Sequence, residues 1–182
     1  MRNLIVLVGI LLINESCDQF EKSDRKLDAY FDLDSLLDSQ VQLLSDQKAE
    51  VMKTVIMDGT VETQRSTPDT TGWKDEFKII RDFNLNKPYY VGAYYKKTLD
   101  DGVRYVEEEG VKVPVSEFII KSTDGALEKI NATYFEDKTI YQHKRVLELN
   151  FAEDKLTAYR ISGFQKMVLK DTIFYTISGE IN

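Results

Sequence analysis

A single histidine, His143, and a single cysteine, Cys17, bound the nucleophile and metal chemistry open to this chain of 182 residues. His143 sits in Tyr141-Gln142-His143-Lys144-Arg145, and the two-residue period of an extended segment puts Tyr141, His143 and Arg145 on one face. With Lys144 and Arg145 adjacent, the charged imidazole is disfavoured, so His143 reads as a histidine at a strand's polar end rather than a general base. No serine lies in a Gly-x-Ser-x-Gly elbow, and no glycine-rich phosphate loop appears. Metal chemistry lacks a His or Cys cluster, and Asp100-Asp101-Gly102 lacks the spaced acids of a calcium loop. Glu107-Glu108-Glu109 reads as a solvated hairpin tip. With 31 Asp and Glu residues, some pair always falls within the about 5–10 Å that glycoside hydrolysis needs, so carboxylates alone mark no site. The expectation is no catalytic residue, no metal and no cofactor; the chain is not expected to be an enzyme.

Tyrosines are the more suggestive set. Tyr89-Tyr90-Val91-Gly92-Ala93-Tyr94-Tyr95 would place phenols on both faces of one strand, and Tyr105, Tyr134, Tyr141, Tyr159 and Tyr175 follow. Tyrosine joins an apolar ring to a polar tip, which suits a glycan, a lipid or a protein partner. Tyr90, Tyr94 and Tyr141 are therefore the candidate ligand-binding residues, against the plainer fact that pleated sheets favour tyrosine. Trp73, Phe77 and Ile80, spaced by four and three, read as the core face of a helix.

These elements follow a chain that opens with Arg2 and the apolar run Leu4 to Ile13. That run is too short for the about 20 residues that cross a bilayer, but it suits the about 7–15 of a secretory signal. Asn14 and Glu15 break the apolarity, small Ser16 precedes Cys17, and Asp18, Glu21, Lys22, Asp24, Arg25 and Lys26 follow as a polar tether. In this arrangement Ser16-Cys17-Asp18 resembles the processing site of bacterial envelope lipoproteins of the Bacteroidota type, although Asn14 stands where such signals usually carry leucine. The resemblance covers about 20 residues. It implies a signal peptide over 1–16, cleavage before Cys17, and acyl chains such as palmitate on that cysteine. It also implies a lipid anchor in the cell envelope, with the outer membrane ahead of the inner. Asp69-Thr70-Thr71 and Asp171-Thr172-Ile173 resemble the short sites at which such bacteria O-glycosylate exported proteins, and Thr70 is the better candidate.

Residues 17–31 then form the lipidated N-terminus and tether, and 32–182 one domain. Loss of Arg2 and Glu15 leaves the net charge at −7, which disfavours nucleic acid and anionic lipid surfaces as partners. No second cysteine exists for a disulfide. Leu33, Leu37, Val41 and Leu44 share one helical face, predicting a long helix over 33–48. Asp58-Gly59 between β-rich runs predicts a hairpin of 51–57 with 60–64. A second, short helix of about three turns carries Trp73, Phe77 and Ile80 and ends by Pro88. Strands are expected over 89–98, 103–109, 113–122, 126–135, 139–150, 155–163 and 168–181. Their short connections predict an α+β fold: an antiparallel meander, as a curved sheet or half-barrel, with the long helix packed on it. In layout this is similar to half-barrel lipoprotein carriers. The functional expectation is a non-enzymatic, membrane-anchored scaffold or protein-binding lipoprotein, with a carrier of an apolar or glycan ligand in the sheet's concavity as the alternative.

Overall fold

The computed structural model describes residues 29–182. The expectations placed on Cys17, on the signal peptide and on the tether up to residue 28 lie outside the described residues.

Helix α1, Leu33–Asp46, starts where Asp32 accepts the Ser35 amide at 2.9 Å. It ends in a left-handed residue, Lys48 at φ 52, which lets the Ala49 amide reach back to the Leu44 carbonyl at 2.9 Å and the Lys48 amide to Ser45 at 3.0 Å. That closure stops α1 at fourteen residues, short of the long helix expected to residue 48. Leu33, Leu37, Val41 and Leu44 are all buried, as their spacing requires.

Nine strands form one open antiparallel sheet: β1 (Val51–Met57), β2 (Thr60–Ser66), β3 (Tyr94–Leu99), β4 (Gly102–Glu107), β5 (Val115–Thr123), β6 (Ala126–Lys138), β7 (Tyr141–Ala152), β8 (Lys155–Met167) and β9 (Ile173–Ile181). Their order is β2-β1-β9-β8-β7-β6-β5-β4-β3, so β2 and β3 are the edges. From β3 to β9 the chain meanders. The β1–β2 hairpin joins through β1 and β9, in a register running from Val51↔Ile181 to Met57↔Tyr175. Asp58-Gly59, Asp124-Gly125 and Glu153-Asp154 all sit at positive φ, the paired left-handed geometry that matches strand twist in two-residue hairpins.

Facing residues in antiparallel strands share a side of the sheet. One row runs Tyr105–Phe118–Ala132–Leu147–Ile161–Ile177–Val55, and this side meets α1 and the second helix, α2 (Thr70–Glu76). Leu147 and Ile161 lie in the same core as Leu33, Leu37, Val41, Leu44, Trp73 and Phe77. The neighbouring row, Tyr95–Val106–Glu117–Thr133–Val146–Ser162–Thr176–Ile56–Val61, lies on the free side. Gln40 ties helix to sheet: its Nε2 donates to the Asp154 carbonyl at 2.9 Å and its Oε1 accepts the Leu156 amide at 2.8 Å.

Two expected elements differ. The second helix is not continuous: α2 ends at Glu76, and a 3-10 turn follows at Ile80–Phe83, with the Ile80 amide bonded to Phe77 at 3.0 Å. Trp73, Phe77 and Ile80 are nevertheless all buried. Residues 89–98 are not one strand. Pro88 fixes a 3-10 turn through Tyr90, Gly92 takes φ 73, and β3 begins only at Tyr94.

Candidate functional site

A group of polar side chains lies on the covered side, where α2 and the 3-10 turn overhang β7, β8, β9 and β1. Tyr134, Arg145, Gly163, Tyr175 and Met57 form one row across five strands. Arg145 is only 4% exposed, and its guanidinium carbon lies 4.1 Å from the Tyr134 ring centre and 5.4 Å from that of Phe83. One guanidinium nitrogen, Nη1, donates to Asp82 at 2.7 Å, while Nε is buried without a partner. Gly163 contributes no side chain between Arg145 and Tyr175; a Cβ there would stand 2.0 Å from the Lys144 carbonyl oxygen. His143 Nε2 pairs with the Tyr175 hydroxyl at 2.8 Å.

Beside this row opens a hollow of about 450 Å³ lined by Lys53, Asp75, Glu76, Asp82, Arg145 and Tyr159. Lys53 meets Glu76 at 2.9 Å, and the Tyr159 hydroxyl donates to Glu76. Burial pushes the Tyr159 phenol up, with the Glu76 carboxylate adding to it. Burial raises Tyr175 as well, and burial with Glu136 beside it raises Tyr134. His143 is pushed the other way, below the ordinary imidazole value, first by burial and then by the Arg145 charge. The phenols are thus held protonated as donors, and the two acids nearest Arg145 and Lys53 are each engaged by a cation. The arrangement suits gripping a polar group more than exchanging protons with it.

The tyrosines singled out by sequence do not converge. Tyr90 and Tyr94 come together, rings 5.9 Å apart, but inside the core with Tyr30, whose ring stands 5.3 Å from Tyr94 and 5.8 Å from Tyr105. The Tyr30 hydroxyl donates to the Tyr90 carbonyl at 3.1 Å and accepts the Tyr94 amide at 3.2 Å. Tyr141 is elsewhere, half-buried at the start of β7, donating to Glu136 at 3.2 Å. Thr70 is the first residue of α2 rather than part of a loop, and its hydroxyl meets that of Ser45 at 2.9 Å. Among the described residues no group of His, Cys, Asp and Glu could hold a metal ion. Arg145 shares the face that alternation assigned it with His143, but Lys53, Glu76 and Asp82 carry no spacing that announces them. Gly163 inside a strand was the available sign of a close backbone approach.

Apolar side chains crowd the opposite surfaces. On the free side Val61, Ile56, Val146, Phe135 and Phe174 are exposed, Phe174 at 61%. At one end of the sheet the β6–β7 turn and the β8–β9 loop expose Ile140, Met167, Val168 and Leu169. Compared with protein-family models, with curated proteins and with solved structures, the chain has no significant match.

Proposed function

We propose that this chain is an envelope lipoprotein, held at a membrane by acyl chains on Cys17, whose sheet domain binds a protein partner and catalyses no reaction. The observation that carries this reading is the free side of the sheet. Val61, Ile56, Val146, Phe135, Phe174 and Tyr95 stay exposed there although the helices bury the other side. An exposed apolar strip with polar neighbours such as Thr133, Ser162 and Thr176 is the composition of a recognition surface. Outer-membrane placement and a half-barrel curvature belong to the same reading.

A second reading, a carrier of an apolar ligand, has one observation in its favour. A groove of about 740 Å³ runs beside α1, lined by Phe31, Leu36, Ile120 and Leu127. The helix face itself is filled by Leu37, Val41 and Leu44, which leaves the groove at the margin of the concavity rather than within it.

The test is photocrosslinking in a Bacteroidota-type host, from the full chain with the photoreactive residue at Val146 or, separately, at Leu127. A discrete protein adduct from Val146, lost on Phe174→Asp, supports partner binding. No protein adduct from Val146 in an acylated, membrane-held chain sinks it, and a lipid adduct from Leu127 favours the carrier.

A further inference from the structure

We propose that the paired loops at one end of the sheet, the β6–β7 turn and the β8–β9 loop, dip into the interface of a membrane that carries anionic headgroups. The two loops act as one tip, because the Val168 amide donates to the Ile140 carbonyl at 3.0 Å. Leu169 is 99% exposed, Ile140 65% and Val168 57%. Leu169 also sits at φ 63, a region that side-chain-bearing residues avoid and that loops normally give to Gly, Asn or Asp. A leucine both strained and fully wetted contributes nothing to the stability of its own fold, which points to a surface that receives it.

The chemistry around the tip selects the surface. Lys138, Lys166 and Lys170 surround the apolar residues, all exposed, and none has a carboxylate within 4.0 Å among the described residues. The acids nearby are Asp137, which accepts from Gln142 at 3.1 Å, Glu136, which accepts from Tyr141, and exposed Asp171 beside Lys170. Although the chain carries a net charge of −7, three lysines without an ion-pair partner among the described residues stand at this apolar tip. Tyr141, with its phenol bonded to Glu136, adds an aromatic side chain of the kind that settles at headgroup level. Apolar residues that enter the acyl boundary while cations stay at the phosphates are the general pattern of interfacial binding. The two loops lie at the end of the sheet where β6 and β8 stop, and between them they line a hollow of about 520 Å³.

The geometry rests on the anchored reading above and agrees with it. Tyr30 packs on Tyr105, in the row of Leu147, and Leu147 lies six strand residues from Tyr141. That separation is about 20 Å along the strand. A chain from Cys17 to residue 29 spans at most about 43 Å when extended, so one membrane can hold both the acyl chains and the tip.

The experiment uses the full chain purified from the membrane fraction, carrying Leu169→Trp, in vesicles of brominated phosphatidylcholine with or without phosphatidylglycerol. Trp73 is buried and gives a constant background, subtracted with the parent protein. The expected result is blue-shifted emission from the introduced tryptophan, which loses about half or more of its intensity to the bromines, since interfacial side chains sit roughly 5–10 Å deep. That loss should need phosphatidylglycerol and should vanish in Lys138→Glu/Lys166→Glu/Lys170→Glu. Thr63→Trp, on the exposed edge strand β2, should stay unquenched. Water-like, unquenched emission from the Leu169→Trp variant on a vesicle-bound chain overturns the proposal. Equal quenching without phosphatidylglycerol overturns the anionic commitment. A concentration-dependent blue shift without lipid overturns the membrane as occupant, because a second copy then covers the tip. The intact mass of the same sample reports acylation. A chain without acyl mass overturns the anchor alone, and the tip tryptophan is then judged by the same criterion against added vesicles.

Discussion

Replacing Gln40 by leucine removes a side chain that hydrogen-bonds α1 to the β7–β8 turn and the start of β8 while keeping similar volume. In the folded protein Gln40 is buried, its Nε2 donates to the Asp154 carbonyl at 2.9 Å, and its Oε1 accepts the buried Leu156 amide at 2.8 Å. Two such bonds contribute about 1 kcal/mol each, and an amide left buried without an acceptor costs about 1–3 kcal/mol more. Better apolar packing by the new leucine returns part of this, so the net loss is about 2–4 kcal/mol. For a domain of this size each kcal/mol moves the thermal midpoint by about 2–4 °C, so a loss of about 3 kcal/mol lowers it by roughly 6–12 °C. Urea unfolding measures the same quantity. At a slope of about 2 kcal/mol/M the midpoint falls by about 1.5 M with the slope unchanged. Gln40→Glu is the companion variant: it can still accept from Leu156 but repels the Asp154 carbonyl, and it should also be less stable than the parent. A midpoint for Gln40→Leu within about 0.25 M of the parent would refute the reasoning, because the helix would then be held by its apolar face alone.

Gly179→Ala is expected to cost about 2 kcal/mol or more by chemical denaturation, since its Cβ would stand 2.2 Å from the Tyr159 ring. Adding Tyr159→Leu should recover part of that loss. Gly92→Ala, at φ 73 with open space around it, should cost only about 1 kcal/mol. Because burial and Arg145 depress His143 in the folded protein, the unfolded chain takes up a proton first as pH falls through about 6.5. Stability should therefore fall from pH 7.5 to 5.5, and thermal midpoints of His143→Gln should lose that part of the slope. If the proposed lipidation holds, Cys17→Ala expressed from Met1 loses the acyl mass and the membrane fraction that the parent shows; retention of both would refute lipidation at that residue.

Periodicity and turn chemistry made much of this fold legible. Leu33, Leu37, Val41 and Leu44 fall at helical spacing because a helix packed on one side must bury one stripe, and Asp58-Gly59 marked its hairpin because few residues accept two positive φ values. What escaped depends on contacts far apart in the chain. Nothing local says that β1 pairs with β9 rather than lying at a margin beside β3, since the pairing partners are well over a hundred residues distant. Tyr90 and Tyr94 looked like a strand offering phenols, but Pro88 and Gly92 bend the chain there and turn both rings into the core. In the candidate site, alternation put Arg145 and His143 on the same face. Asp82 and Glu76 meet Arg145 and Lys53 only because the 3-10 turn and α2 overhang the sheet, a tertiary arrangement without a local sign.

The place of β9 in the sheet has a consequence for how the chain comes to be folded. Although it is the last of the nine described strands, β9 lies inside the sheet, flanked by β8 on one side and by β1, the first of them, on the other. Until Ile181 has been delivered, the β1–β2 hairpin has no sheet to join. Closing so long a loop is also entropically late, so this ordering should make folding slow for a domain of its size. Were the chain exported unfolded, as the envelope reading proposed above requires, that delay would be useful: it could not lock into its final form while β9 remained on the side of synthesis.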